Sequence, residues 1–153
     1  MTNSQPIVYF LVGGTVNAIV LVVIAFLLSR FARDIIGRSV LVIFLFIAGG
    51  AYVGFAVGAG ASGLWFLAEV VHVVVIGSMG LLGLRGSPYW IAAGWALHPL
   101  WDFPRHYIGP GHSFAPASWA ISCVSFDWVV AVYIVIAYGA LGARRLGFRE
   151  VAT

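Results

Sequence analysis

The sequence predicts an all-α integral membrane protein: a helical bundle of five transmembrane helices forming a single transmembrane domain over residues 1–153. Two observations about composition point there first. Hydrophobic residues make up 62% of the chain and charged residues only 8%, against roughly 25% charged in an average soluble domain. A soluble chain this apolar has too little polar material to cover its surface. The third observation is that apolar runs of about 20 residues, the length that crosses a bilayer, recur along the chain.

The first run covers 7–28 and stops where Arg30, Arg33, Asp34 and Arg38 interrupt it. No basic segment precedes it and no small-residue cleavage pattern ends it, so it reads as a helix and not a signal peptide. The second and third runs, 39–59 and 63–84, are separated only by Gly58, Ala59, Gly60, Ala61 and Ser62, which predicts a tight helical hairpin. The fourth, 89–106, contains Pro99, Asp102 and Pro104 and closes at Gly109, Pro110 and Gly111. It is expected to be kinked or partly unwound, and the alternative topology has four spanning helices and a re-entrant fourth segment. The fifth, 116–141, opens on Pro116, which suits a first helical turn, and Arg144, Arg145 and Arg149 follow it.

Eight arginines and no lysine give the net charge of +3. Five crossings with the N-terminus outside place Arg30, Arg33, Arg38, Arg85, Arg144, Arg145 and Arg149 on the inner side, leaving Arg105 outside. This predicts a multi-pass protein of the cell membrane with a cytoplasmic C-terminus, whose surroundings are the lipid bilayer and which has no nucleic-acid partner. Cys123 is alone, so no internal disulfide forms, and it reads as a small buried residue. Gly50, Gly54 and Gly58 recur every four residues on one face and favour close helix packing. Packing within the chain is the preferred reading, and a homodimer through these glycines is the alternative. Gly77, Gly80 and Gly83 suggest a similar approach in the third helix.

Against this apolar background Glu69, Asp102 and Asp127 stand out, because a charge near the bilayer centre costs about 2.5–3.5 kcal/mol on insertion scales. His72 and His98 join them. At about 1.5 Å of rise per residue, Glu69 lies about 9 Å and His72 about 14 Å from the start of the third helix, and Asp127 about 16 Å from the start of the fifth. His98 and Asp102 lie about 13 and 19 Å from the opposite end, and Asn17 about 15 Å along the first helix. All six fall in one layer. Glu69 with His72, and His98 with Asp102 and His106, also share helix faces. They therefore point to one polar pocket, expected to open outward near Arg105, His106 and His112.

Four readings of that pocket compete. In the first, Glu69, His72, His98 and Asp102, or Asp127 in its place, bind a divalent metal, zinc or iron, leaving a position for water or substrate. Glu-x-x-His is also half of a di-iron bundle signature, but one copy favours a mononuclear site. In the second, Glu69, Asp102 and Asp127 do metal-free acid–base chemistry, with Trp65, Trp101 and Trp128 as aromatic faces for a cationic intermediate. Trp65, Trp90 and Trp119 equally suit an interfacial belt. The third reading is a proton-coupled small-molecule carrier or channel. The fourth is a structural membrane subunit in which Asp–His and Glu–His pairs merely lock helices together.

The segments GWALHPLWDFPRHYIGPG (94–111) and ISCVSFDWVVAVYI (121–134) together resemble an uncharacterised family of small bacterial polytopic membrane proteins. The pattern that carries the resemblance is His-x-x-Trp-Asp followed by a Phe-Asp pair, here His98, Trp101, Asp102, Phe126 and Asp127. It extends over roughly the last two thirds of the chain; it implies a membrane bundle and assigns no activity. The leading functional reading is an intramembrane metal-dependent or acid–base enzyme acting on a lipophilic small molecule. Its catalytic residues would be Glu69, Asp102 and Asp127, and Asn17, Trp101, His106 and His112 would line the pocket.

Overall fold

The computed structural model describes residues 4–150, with side chains described for 6–139. Five helices follow in order: α1 Ser4–Phe31, α2 Asp34–Gly58, α3 Leu64–Arg85, α4 Tyr89–Asp102 and α5 Ala117–Glu150. A π-helical turn, Phe103–Ile108, continues α4, and a short 3-10 turn, Pro110–Ser113, precedes α5. Helices α1, α2, α3 and α5 are each long and apolar enough to cross a membrane.

The helices outrun the apolar stretches that predict them. Helix α1 continues through Arg30, and α2 begins at Asp34, five residues before the apolar run. Apolar character sets what lies in hydrocarbon, whereas backbone hydrogen bonding continues into the charged ends, where Asp34 suits a helix N-terminus. The hairpin between α2 and α3 turns where predicted. Gly60 and Gly63 both have positive φ, +69° and +65°, a conformation for which glycine is the default residue.

The helix directions alternate. Arg38 at the start of α2 donates to the carbonyls of Gly83 and Gly86 at the end of α3, 3.1 and 3.4 Å away. The Tyr138 hydroxyl donates to Asp34 at 2.7 Å, which brings α5 back to the same end. At the other end Arg105, in the π turn after α4, reaches Glu69 near the start of α3. The α4 segment thus runs from the Arg38 end to the Glu69 end, without the reversal a re-entrant loop needs. Its 14 α-helical residues cover about 21 Å, and the π turn continues the ascent. Pro104 explains the widened turn: it has no N–H to give, and the Gly109 N–H bonds back to its carbonyl at 2.9 Å.

In closed order α1 packs on α2, α2 on α3, α3 on α4, α4 on α5 and α5 on α1. Leu41, Leu45, Ile76, Ile91, Trp95, Val130 and Ile134 fill the half of the interior nearer Arg38. Outward, Val12, Val16, Ile19, Ile43, Ile47, Val74 and Val135 are exposed. An apolar surface of that extent is at home in lipid.

The glycine expectations divide. A Cβ on Gly77 or Gly80 would run into Phe46 or Val42 of α2, and one on Gly83 into Ile91, so these three do allow close helix packing. Gly50, Gly54 and Gly58 do not serve packing within the chain, since nothing lies within 4 Å of a Cβ built on any of them. The glycine of α2 that meets α3 is Gly49, against Val73 and Ile76. The rotation of α2 about its axis, which sequence spacing does not contain, turns Gly49 and not Gly50 toward α3. The side chains of Arg144, Arg145 and Arg149, invoked for orientation, lie outside the described residues.

Candidate functional site

Above the apolar half, α2 to α5 each send polar side chains inward at one level. Helix α4 supplies His98 and Asp102, one turn apart, and the π turn adds His106. Helix α5 supplies Cys123 and Asp127, also four residues apart on one face. Helix α3 brings Glu69 and His72, and α2 brings Tyr52. All eight are buried.

Two groups form within this layer. In the deeper one the His98 Nδ1 lies 2.8 Å from Asp127 Oδ2 and 3.1 Å from Asp102 Oδ2. One ring N–H can serve only one acceptor well, and here it is the closer Asp127 oxygen. Among the described residues neither Asp102 oxygen, nor Asp127 Oδ1, nor His98 Nε2 has a hydrogen-bond partner. Cys123 closes the group from α5, with the Tyr52 hydroxyl 4.0 Å from its sulfur. One ligand atom from each of His98, Asp102, Cys123 and Asp127 lies within 4.8 Å of all the others. Four donors set tetrahedrally round an ion at about 2.0–2.3 Å stand about 3.3–3.8 Å apart. The four are thus gathered at one point, and holding a cation there would draw the outlying donors inward and open the His98–Asp127 hydrogen bond.

The outer group is built on Glu69. Its carboxylate accepts from Arg105 Nε at 2.6 Å and from Trp101 Nε1 at 3.4 Å, and His106 Nε2 is 3.4 Å away. The Tyr52 ring stacks on His106 with centres 4.2 Å apart. His72 stacks on Trp101 and leaves its own Nε2 without a partner.

The expected ligand set is therefore split. His98, Asp102 and Asp127 come together, while Glu69 is engaged by Arg105 and His72 stands between the two groups against Trp101. His106 does enter the buried layer, but beside Glu69. Asn17 is exposed on α1, and His112 is exposed in the 3-10 turn with its Nδ1 2.7 Å from the Gly109 carbonyl, so neither lines the site. Depth alone put Asn17 in this layer; rotation about the helix axis turns it outward. Trp128 is likewise exposed and contributes no inward-facing aromatic surface, and Trp65, Trp90 and Trp119 are exposed as a belt would be. The mouth expected near Arg105 is filled by Arg105 itself and Trp101, so the cluster is closed over.

Two members escaped sequence reading. Cys123 stands one helical turn before Asp127, and that spacing was a usable signal. Tyr52 carries a hydroxyl in the middle of an apolar helix, about 9 Å from its Gly58 end, at the same level as Glu69. Trp95, one turn before His98 on α4, is buried, and among the described residues its Nε1 has no hydrogen-bond partner.

A family model described as a family of unknown function matches residues 13–141. This agrees with the expected uncharacterised family and reaches further toward the N-terminus than the two motifs. No curated protein and no solved structure matches the chain.

Proposed function

The chain belongs to that family, DUF6010, and since membership brings no activity with it, we propose from the site alone that the protein is an intramembrane metal-dependent enzyme acting on a lipophilic small molecule. The observation that carries this reading is the convergence of His98, Asp102, Cys123 and Asp127 on one buried point, with three of the four carboxylate oxygens left unpartnered. Buried polar atoms are nearly always hydrogen-bonded. Two carboxylates sharing one imidazole inside hydrocarbon are costly unless a positive charge joins them. A divalent cation supplies that charge and takes up the free oxygens at once.

The donor set narrows the ion. Thiolate and imidazole select against magnesium and calcium, and with two carboxylates they suit zinc or iron. When bound, such an ion acts as a Lewis acid. Tyr52, beside Cys123, is placed to hold or give a proton there, and Glu69 with His106 forms the next layer outward. The substrate has to arrive through lipid or along the Glu69 end, which selects a lipophilic molecule. The inner half of the bundle supports an enzyme over a carrier: from His98 toward Arg38 the interior is Trp95, Ile91, Leu45, Ile76 and Leu41, all buried, and among the described residues no polar path leads on.

The test is metal content by mass spectrometry on tag-free protein in mild detergent, with His98→Ala and Asp127→Asn variants. Close to one equivalent of zinc or iron, lost in both variants while the fold persists, is the expected result. Well-folded protein that takes up neither ion, even after reconstitution, overturns the metal reading and leaves acid–base chemistry by Asp102 and Asp127.

A further inference from the structure

Arg105 is the polar group at the outer boundary of the cluster, and its geometry is unusual for a simple ion pair. Its guanidinium carbon lies 4.4 Å from the centre of the Trp65 ring and 4.9 Å from that of Trp101, so the cation is held between two indole faces. Only its Nε is spent on Glu69, at 2.6 Å. Among the described residues the two terminal nitrogens find no protein acceptor, and the side chain keeps 20% of its exposure. The unspent edge is the forked one, the edge that matches a carboxylate with two parallel hydrogen bonds. Two aromatic walls fix its direction in advance, which lowers the ordering cost of binding.

Glu69 has the complementary property. It is 1% exposed and does not depend on Arg105 alone, because Trp101 Nε1 donates to its Oε2 at 3.4 Å and His106 Nε2, which makes no hydrogen bond among the described residues, stands 3.4 Å from the same oxygen. Its carboxylate can therefore yield part of the guanidinium and remain partnered. On α3, α4 and the π turn, Leu64, Leu67, Leu100 and Ile108 are exposed apolar side chains. A charged fork beside a lipid-facing apolar surface is matched by a molecule with one anionic end and one hydrocarbon chain.

We propose that Arg105 is the headgroup site for a carboxylate-bearing amphiphile, whose carboxylate competes with Glu69 for the guanidinium while its chain lies along α3 and the π turn. The exchange makes and breaks no covalent bond: one carboxylate takes the fork and Glu69 withdraws toward Trp101 and His106. Binding at Arg105 does not depend on a metal. That the bound acid is the substrate rests on the enzyme reading above.

The test uses the full chain in nanodiscs of phosphatidylcholine alone, titrated with oleate, oleyl alcohol and oleyl phosphate and read by tryptophan fluorescence against empty discs. Oleate is expected to saturate at one per protein and oleyl alcohol to give no saturable signal. Arg105→Gln should weaken oleate at least tenfold, and Arg105→Lys, which keeps the charge without the fork, by a smaller factor. Glu69→Gln should tighten it severalfold by removing the competing charge. Should Arg105→Gln fail to fold, the Arg105→Lys and Glu69→Gln titrations decide. Oleate binding unchanged in Arg105→Lys, unchanged or weakened in Glu69→Gln, or no greater than in empty discs overturns the proposal. Saturable binding of oleyl phosphate alone overturns the carboxylate assignment. Because the readout needs no metal, loss of this site and loss of the metal centre are separately visible.

Discussion

The indole of Trp101 and the imidazole of His72 stack face to face, with ring centres 4.9 Å apart and planes 5° from parallel. The stack extends on both sides. Outward, Arg105 lies 4.9 Å from the Trp101 ring and 4.4 Å from Trp65; inward, the His72 ring centre is 5.3 Å from that of His98. A column of planar groups thus connects a surface tryptophan to the Asp102–Asp127 centre, drawing on α3, α4 and the π turn. Trp101 is its middle member, holding a cation on one face and an imidazole on the other.

Removing that middle member is expected to cost more than an ordinary half-buried side chain. Trp101→Ala forfeits packing worth about 3 kcal/mol together with a cation–π contact of about 0.5–2 kcal/mol. Trp101→Phe keeps an aromatic face and should lose less than half as much. Unfolding of the two variants in detergent checks this. Equal losses would mean that only volume matters at the position and that the column is incidental.

Cys123 gives a spectroscopic prediction for the inner group. If its sulfur joins His98, Asp102 and Asp127 on one ion, protein loaded with cobalt(II) shows a near-ultraviolet sulfur-to-metal charge-transfer band. Cys123→Ser removes that band and weakens metal retention against a chelator by at least tenfold, because a hydroxyl is a poorer ligand for these ions than a thiolate. A cobalt spectrum identical in the two proteins would take Cys123 out of the ligand set.

How much of this was legible in the sequence depends on which physical quantity each residue encodes. The bundle was legible because hydropathy is nearly a direct measure of what can face lipid. The depth of Glu69, His98, Asp102 and Asp127 was legible too, since rise per residue is fixed. What a helix hides is rotation and partner choice. Asn17 has the right depth and the wrong azimuth, and Gly50 has the right spacing while its neighbour Gly49 makes the contact. The division of the cluster into an Arg105–Glu69 group and a His98–Asp127 group turns on the π segment that contains Pro104. No periodicity argument contains that shift, because it widens the turn just where α-helical spacing was being assumed.

The alternation of helix ends predicts which introduced cysteines share a side of the membrane. Ser62 and Ser113 are exposed in the connections at the Glu69 end, and Ser87 is exposed at the Arg38 end. In a Cys123→Ala background, Ser62→Cys and Ser113→Cys should react with a membrane-impermeant maleimide from the same side of intact cells, the outside if the arginine bias holds. Ser87→Cys should react only after permeabilisation. Labelling of Ser113→Cys together with Ser87→Cys would restore the re-entrant topology.

The contact between α1 and α5 offers a test between adjacent residues of one type. A Cβ built on Gly14 would collide with the Ser122 backbone carbonyl and the Ser125 hydroxyl, whereas one on Gly13 meets nothing within 4 Å. The Ser125 hydroxyl also donates to the Leu11 carbonyl at 2.7 Å, fixing α5 against α1 at this height. Backbone cannot swing aside as a side-chain tip can, so Gly14→Ala has to push the helices apart, at about 1–3 kcal/mol. Gly13→Ala meets no such obstacle and gains helix propensity of up to about 1 kcal/mol. Unfolding in a graded detergent mixture should therefore order the proteins as Gly13→Ala at or above the parent and Gly14→Ala below it. Equal effects of the two substitutions would show that α1 does not approach α5 at this distance. The seam that closes the ring of helices would then have to lie elsewhere along α1.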